Sequence, residues 1–283
     1  MPAFDDPRLT PPDGGFERYQ VTAGVAAIRS APAPDAEMVT QALHGETVRV
    51  FREAGEFAEV QLERDRYTGW ALLEALSAPV IETTHRVSAL RTYVYSEPDL
   101  KSAPHFLISL NGEVAVQASR NGFAKCVRAG WVHEAHLTAR GRFENDPAAV
   151  AERFVGAPYL WGGCESLGLD CTGLTRAAFD ACGRVLPRDS DMQFDWCGVP
   201  VEDWAGETPL RRADLVFWKG HVAMMLDAQH LVHANAFHMA TAIEPLGSAI
   251  ERIAPRYGQP IGVRRIELAA GAGQRPDWLA RPG

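Results

Sequence analysis

Two stretches in the first half of the chain repeat one another, and that repetition constrains the fold more than any single motif. Gly69-Trp70-Ala71-Leu72-Leu73-Glu74-Ala75-Leu76 echoes Gly130-Trp131-Val132-His133-Glu134-Ala135-His136-Leu137. Upstream, Phe57-Ala58 echoes Phe123-Ala124, Gly45-Glu46 echoes Gly112-Glu113, and Ile28-Arg29-Ser30 echoes Leu90-Arg91-Thr92. The offsets are 61 to 67 residues, so two copies of one module are expected. Each copy alternates short β-prone runs with Gly, Asn or Asp turns, as in residues 46–52 and 113–118, which reads as a small β-barrel. The copies are expected at residues 16–78 and 84–140, with 77–85, around Pro79, between them. The remainder does not repeat. It reads as a separate domain at 145–267, with Asn145 or Asp146 capping its first helix, and a Gly- and Pro-containing tail at 268–283.

Composition limits the function classes. The chain has 283 residues, 46% hydrophobic and 23% charged, ordinary for globular domains. No apolar run approaches the roughly 18–20 residues of a membrane span. The start, Met1-Pro2-Ala3-Phe4-Asp5-Asp6-Pro7, lacks the basic and apolar regions of a signal peptide. Five cysteines without paired spacing do not suggest a disulfide framework. A cytoplasmic location is expected. A formal charge of −8 argues against nucleic acid and against anionic wall polymers as partners.

Leu169-Asp170-Cys171-Thr172-Gly173-Leu174 carries the chemistry. Residues 172–182 place Leu174, Ala177, Ala178, Phe179 and Ala181 at roughly helical spacing. Asp170 is a suitable N-cap, which puts Cys171 in the first turn, where the helix dipole favours an anion. A free thiol is mostly protonated at neutral pH, with a pKa of about 8.5, so a nucleophilic cysteine needs such help. A second device is an imidazole that takes the proton and holds the charge as an ion pair. His221, fifty residues on, opens the apolar run Val222-Ala223-Met224. Residues 221–226 and 231–236 read as a hairpin around Asp227-Ala228-Gln229. A three-residue turn sets His233 opposite Ala223, one diagonal step from His221, about 7–8 Å away at the backbone. His233 could therefore orient His221, as the third member of a catalytic triad does. No Cys-x₂-Cys pair and no His-Glu-x-x-His exists, so neither a metal nor any other cofactor is expected.

Pro158-Tyr159-Leu160-Trp161-Gly162-Gly163, Asp170-Cys171-Thr172-Gly173, Arg212-Ala213-Asp214-Leu215-Val216-Phe217-Trp218, His221-Val222-Ala223-Met224-Met225 and Leu231-Val232-His233-Ala234 follow in an order that resembles the NlpC/P60 cysteine peptidases. The resemblance covers about residues 145–266. It implies an α+β papain-like domain, an antiparallel sheet packed on helices, behind two all-β SH3-like barrels. It also implies Cys171 as nucleophile, His221 as base, His233 as third residue, and Tyr159 beside the thiol. The expected substrate is a murein-derived stem peptide, cut between γ-D-Glu and a diamino acid. Members with two such modules act on free peptides and bind an N-terminal amine through carboxylates and a tyrosine. Asp189 with Ser190, Tyr67 and Glu37 match those positions, and Trp161 and Asp170 are expected to complete substrate binding. Thr172 stands where many relatives have Ser, and Ala223 where many have Gly. Two other readings follow from the same residues: a secreted hydrolase of intact peptidoglycan, or a wall-peptide binding protein without catalysis. The oligomeric state is left open.

Overall fold

The computed structural model describes residues 6–206, 208–268 and 273–279. Its contacts divide the chain after Arg142 into two units. The first five residues, on which most of the reading of the N-terminus rests, and half of the expected tail lie outside the described residues.

The N-terminal unit begins with seven strands: β1 (Glu17–Val21), β2 (Val25–Arg29), β3 (Met38–Leu43), β4 (Thr47–Ala54), β5 (Phe57–Leu62), β6 (Thr68–Leu72) and β7 (Leu76–Ser77). They form one sheet in the order β3-β2-β6-β5-β4-β1-β7. Eight more follow: β8 (His85–Val87), β9 (Arg91–Tyr95), β10 (Pro104–Ser109), β11 (Glu113–Val114), β12 (Val116–Arg120), β13 (Phe123–Cys126), β14 (Gly130–His133) and β15 (Leu137–Ala139). These form two sheets, β10-β9-β14-β13-β12 and β11-β8-β15. Reading β11 and β12 as one broken β4, the strand order is that of the first copy. A single 3-10 turn follows the Gly-Trp strand in each copy, at Leu73–Ala75 and Glu134–His136.

The buried positions repeat as well. Val21, Ile28, Ala42, Val48 and Val60 fill the first core, and Val87, Val94, Ile108, Val114 and Cys126 the second. Each pair is 66 residues apart. This corrects two of the echoes seen in the sequence. Ile28 corresponds to Val94, not Leu90, and Gly45 corresponds to Asn111, not Gly112. Gly45 and Asn111 both have left-handed backbones, with φ of 86° and 71°. Gly and Asn are residue types that tolerate that conformation, so the turn is retained while the residue changes. The two copies pack into one unit. The Gln20 amide donates to Gly45 O (3.0 Å) and Ile81 O (2.9 Å) and accepts from the Ile81 amide (3.2 Å).

The C-terminal unit opens with α1 (Pro147–Glu152), whose N-cap Asp146 accepts from the Ala148 and Ala149 amides. A two-residue hairpin, β16 (Cys164–Glu165) and β17 (Gly168–Leu169), precedes α2 (Cys171–Ala181) and α3 (Ser190–Trp196). Then come β18 (Val199–Pro200), β19 (Leu215–Trp218), β20 (His221–Met225), β21 (His230–Asn235), β22 (Ala240–Pro245), α4 (Leu246–Tyr257) and β23 (Gly262–Arg265). The sheet is antiparallel, in the order β18-β23-β19-β20-β21-β22. Val216, Ala223, Met225 and Leu231 face Ala249 and Ile253 of α4. Helix α2 packs against β20 and β21. Of the expected tail, Trp278 and Leu279 are buried, and Trp278 meets the Trp196 ring at 6.1 Å. No helix among the described residues is long and apolar enough to cross a membrane.

Candidate active site

Cys171 is the first residue of α2 and is buried. Asp170 caps the helix through the Gly173 amide (2.7 Å). Gly173 is required by packing, because a Cβ there would collide with the Gly163 carbonyl oxygen. That close approach locks the Trp161-Gly162-Gly163 segment onto the helix start. Asp170 was expected to help bind substrate, and the structure corrects this. Oδ1 also accepts from Thr172 Oγ1 (2.9 Å), Oδ2 accepts from the Gly162 amide (3.0 Å), and both oxygens meet the Arg188 guanidinium. Asp170 and Arg188 are 4% and 2% exposed. A buried carboxylate with five donors is fully satisfied and has no oxygen left for a ligand.

Cys164, for which the sequence suggested no role, lies buried under the same helix. Its sulfur accepts from Arg176 Nη1 at 3.5 Å. All five cysteines are free and buried.

His221 follows the two-residue turn Lys219-Gly220 that joins β19 to β20, and it pairs with Trp218. Val222 is the next residue, and its amide is aimed at the Cys171 sulfur. Between β20 and β21, Met224 pairs with Val232 and Met225 with Leu231. The same register, continued, sets His233 across from Ala223. His221 Nε2 and His233 Nδ1 are 2.8 Å apart, so Nδ1 is the His221 nitrogen that His233 does not engage. His233 Nε2 is 2.7 Å from Glu244 Oε1, and Arg252 of α4 donates to that same oxygen.

Glu244 and Arg252 were missed in the sequence. Strand parity held the signal: β21 and β22 pair His233 with Ala242 and Leu231 with Glu244. Glu244 is thus one diagonal step from His233, as His233 is from His221.

Burial pushes the Cys171 thiol up, to about 12, and the Asp170 carboxylate adds to this. Burial also pulls the His221 imidazole down, to about 3, helped by His233 and Arg252. Both directions favour a neutral thiol beside a neutral imidazole at rest. The ion pair expected from sequence is disfavoured because each charge would have to form without water.

Tyr159 is half-buried and lies close enough to feel the charge on Cys171 and on Asp170. Burial pushes its phenol up, and the nearness of Cys171 and Asp170 adds to this. Its backbone bridges Leu169, and its amide donates to Met239 O (3.0 Å). Trp161 is 60% exposed. Asp189 and Ser190, partly exposed, begin α3 directly after Arg188, so the Arg188–Asp170 pair holds them near the start of α2. Tyr67 and Glu37 belong to the N-terminal unit. Tyr67 is buried just before β6, with its amide on Asp65 Oδ1 (3.0 Å). Glu37 is exposed before β3, where its carbonyl accepts from the Ser30 amide (2.9 Å).

One group among the described residues has metal-ligand spacing. His233, His238 and Glu244 place ligand atoms within 4.8 Å of one another. Both nitrogens of His233 already have hydrogen-bonding partners, and Arg252 sets a positive charge on Glu244. A cation would have to displace all three contacts, so the geometry favours a hydrogen-bonded relay.

Residues 156–250 match the NlpC/P60 family, and residues 28–76 match the bacterial dipeptidyl-peptidase SH3 domain. The chain is 26% identical over 239 residues to "Dipeptidyl-peptidase 6" of Lysinibacillus sphaericus, covering 76% of this chain and 86% of that protein. It is 26% identical over 227 residues to "Gamma-D-glutamyl-L-lysine dipeptidyl-peptidase" of Bacillus subtilis, covering 69% and 71%. A crystal structure of an NlpC/P60 family protein from Bacillus cereus superposes with a TM-score of 0.74 at 21% identity, covering 88% of this chain and 99% of that one. The fold of the C-terminal unit is therefore the papain-like fold of NlpC/P60 proteins, behind an N-terminal region built mostly of sheet.

Proposed function

We propose that this chain, which carries an NlpC/P60 peptidase domain behind a bacterial SH3 domain, is a cysteine endopeptidase of murein stem peptides. It cuts the bond between γ-D-Glu and the diamino acid in peptides with a free N-terminal L-Ala, an activity suited to recycling wall fragments. The observation that carries the reading is the alignment at the start of α2: the Cys171 thiol, the adjacent Val222 amide, and His221 held at 2.8 Å by His233. The relatives' names supply the substrate class.

The chemistry follows from the positions. His221 Nδ1 takes the thiol proton as Sγ attacks the γ-carbonyl carbon. The helix start and Tyr159 face the oxygen on which charge grows. The C–N bond breaks, the imidazolium returns its proton to the leaving amine, and a thioester remains. Water, deprotonated by the same imidazole, then releases the γ-D-Glu carboxylate and the free thiol. Asp189 supplies a carboxylate for the substrate's ammonium, a charge that needs a paired anion once it leaves water. We read residues 84–140 as a second SH3-like module, on the strength of its shared strand order and repeated core.

The test is mass spectrometry of L-Ala-γ-D-Glu-diamino acid peptides with free and acetylated amino ends. The reading requires cleavage of the free-ended peptide alone, lost in Cys171→Ala and weakened in Asp189→Asn. Equal cleavage of both peptides would remove the amine requirement and favour a hydrolase of intact wall.

A further inference from the structure

The Cys171–His221–His233 line does not stop at His233. Glu244 lies on β22 opposite Leu231, on the sheet face that packs on α4. Its Oε1 accepts from two donors, His233 Nε2 at 2.7 Å and the Arg252 guanidinium. Those two donors hold the Glu244 carboxyl down, to about 2, so it is an anion at any pH where the protein works. A carboxylate only accepts hydrogen bonds, so the ring nitrogen facing it must be the protonated one.

A neutral imidazole has one N–H. If that proton is on His233 Nε2, then His233 Nδ1 is bare and can only accept. The group 2.8 Å away, His221 Nε2, must then be the donor. Its proton is on Nε2, and its Nδ1 is bare. Were the order reversed, His233 Nδ1–H would donate to His221 Nε2, and the His221 proton would sit on Nδ1, facing the thiol as a second donor. Such a ring cannot act as a base.

We propose that Glu244, two rings away from the sulfur, is the positioning residue that sets both tautomers and so makes His221 a base. The inference rests on the peptidase reading above. Arg252 has a separate part. By sharing Oε1 it offsets the carboxylate's charge and keeps Glu244 from drawing a second proton onto His233. Its guanidinium is itself held over the Phe237 ring at 4.5 Å.

Nitrogen-15 NMR of the histidine rings in the full chain near pH 7.5 tests this without substrate. The expected wild-type spectrum has protonated Nε2 and bare Nδ1 on both His221 and His233. A protonated Nδ1 on either ring overturns the proposal. Two variants sharpen it. Glu244→Gln keeps a carbonyl oxygen toward both donors, so it should retain the tautomers and hold kcat within about threefold. Glu244→Ala removes the acceptor, so the rings should show mixed tautomers and kcat on the free-ended peptide should fall at least about tenfold with KM within about twofold. An Ala variant with wild-type kcat, or with a wild-type ring spectrum, overturns the proposal. If Glu244→Ala does not fold, the wild-type spectrum and the Gln variant still decide it. The expected tautomers in a protein inert toward every stem peptide would support the relay while removing the proposed substrate.

Discussion

The proposed nucleophile and the proposed base of this site are each backed by a carboxylate–arginine pair, and the two pairs work differently. Behind Cys171, Asp170 is sealed in: five donors fill its oxygens, and Arg188 is as buried as it is. Behind His221, Glu244 lies at the end of a chain of rings and shares one oxygen between His233 and Arg252. The first pair holds a backbone in place, and the second orders protons. A nucleophile at a helix start needs position and a group to take its proton. A base also needs the correct nitrogen bare, which position alone does not secure.

Four experiments can break or sharpen that contrast. The largest effect is expected from Cys171→Ala, with kcat reduced at least about 10⁴-fold and an unchanged fold by circular dichroism. Residual thiol-dependent turnover in that variant would remove Cys171 from the mechanism. Next, Arg188→Met should strand the Asp170 charge and cost about 3–5 kcal/mol in denaturant unfolding. Pairing it with Asp170→Asn should restore part of that loss. A single variant within about 1 kcal/mol of wild type would show that the buried pair does not hold the helix start.

The third experiment is stability against pH. Burial holds His221 and His233 below the ordinary 6.5, so on acidification the unfolded chain takes up protons that the folded chain refuses. Stability from the base side should therefore fall once pH drops below about 6.5. Glu244, held to about 2 from 4.5, should add a further loss as pH falls from 4.5 toward 2. Asp170, held below 3.8, contributes only in more acid solution than the histidines do. Denaturant melts between pH 7.5 and 5 should lose part of their slope in a His233→Gln variant, with the rest left by His221. An unchanged slope would show that the ring is not buried neutral. Activity should follow the same sign, with the acid limb of kcat/KM below 6.5. The smallest effect belongs to Thr172, whose hydroxyl donates to Asp170. Thr172→Ser should cost less than about 0.5 kcal/mol, whereas Thr172→Val, which removes the donor, should cost about 1–2 kcal/mol.

The nucleophile's surroundings were legible because their signals are local. Asp170, Cys171 and Gly173 are consecutive or nearly so, and a cap, a first turn and a close-packed glycine are each readable within four residues. The His221–His233 contact was legible because hairpin parity is arithmetic on a short turn. Glu244 required the same arithmetic on a second hairpin, but Ala240–Pro245 has the look of an ordinary edge strand, and a glutamate there reads as a solvated face. Arg188 and Arg252 could not be read at all, since an arginine is buried only when a distant carboxylate meets it. Asp170 misled for the same reason: its role as a cap was visible, but its claim on Arg188, eighteen residues on, was not. In the N-terminal unit the periodic core was visible as a repeat. Its register was not, because Gly-Trp and Gly-Glu echoes align by letter whereas the fold aligns by buried side chain. The break between β11 and β12, which splits the second copy into two sheets, had no signal in composition.

Gln20 of the first copy holds the connecting segment at Ile81 from both directions, as donor and as acceptor. A tether gripped this way is not a flexible hyphen between two beads. A protease should find no easy cut there, and a single copy lifted out would expose a glutamine amide and a peptide group that had satisfied each other.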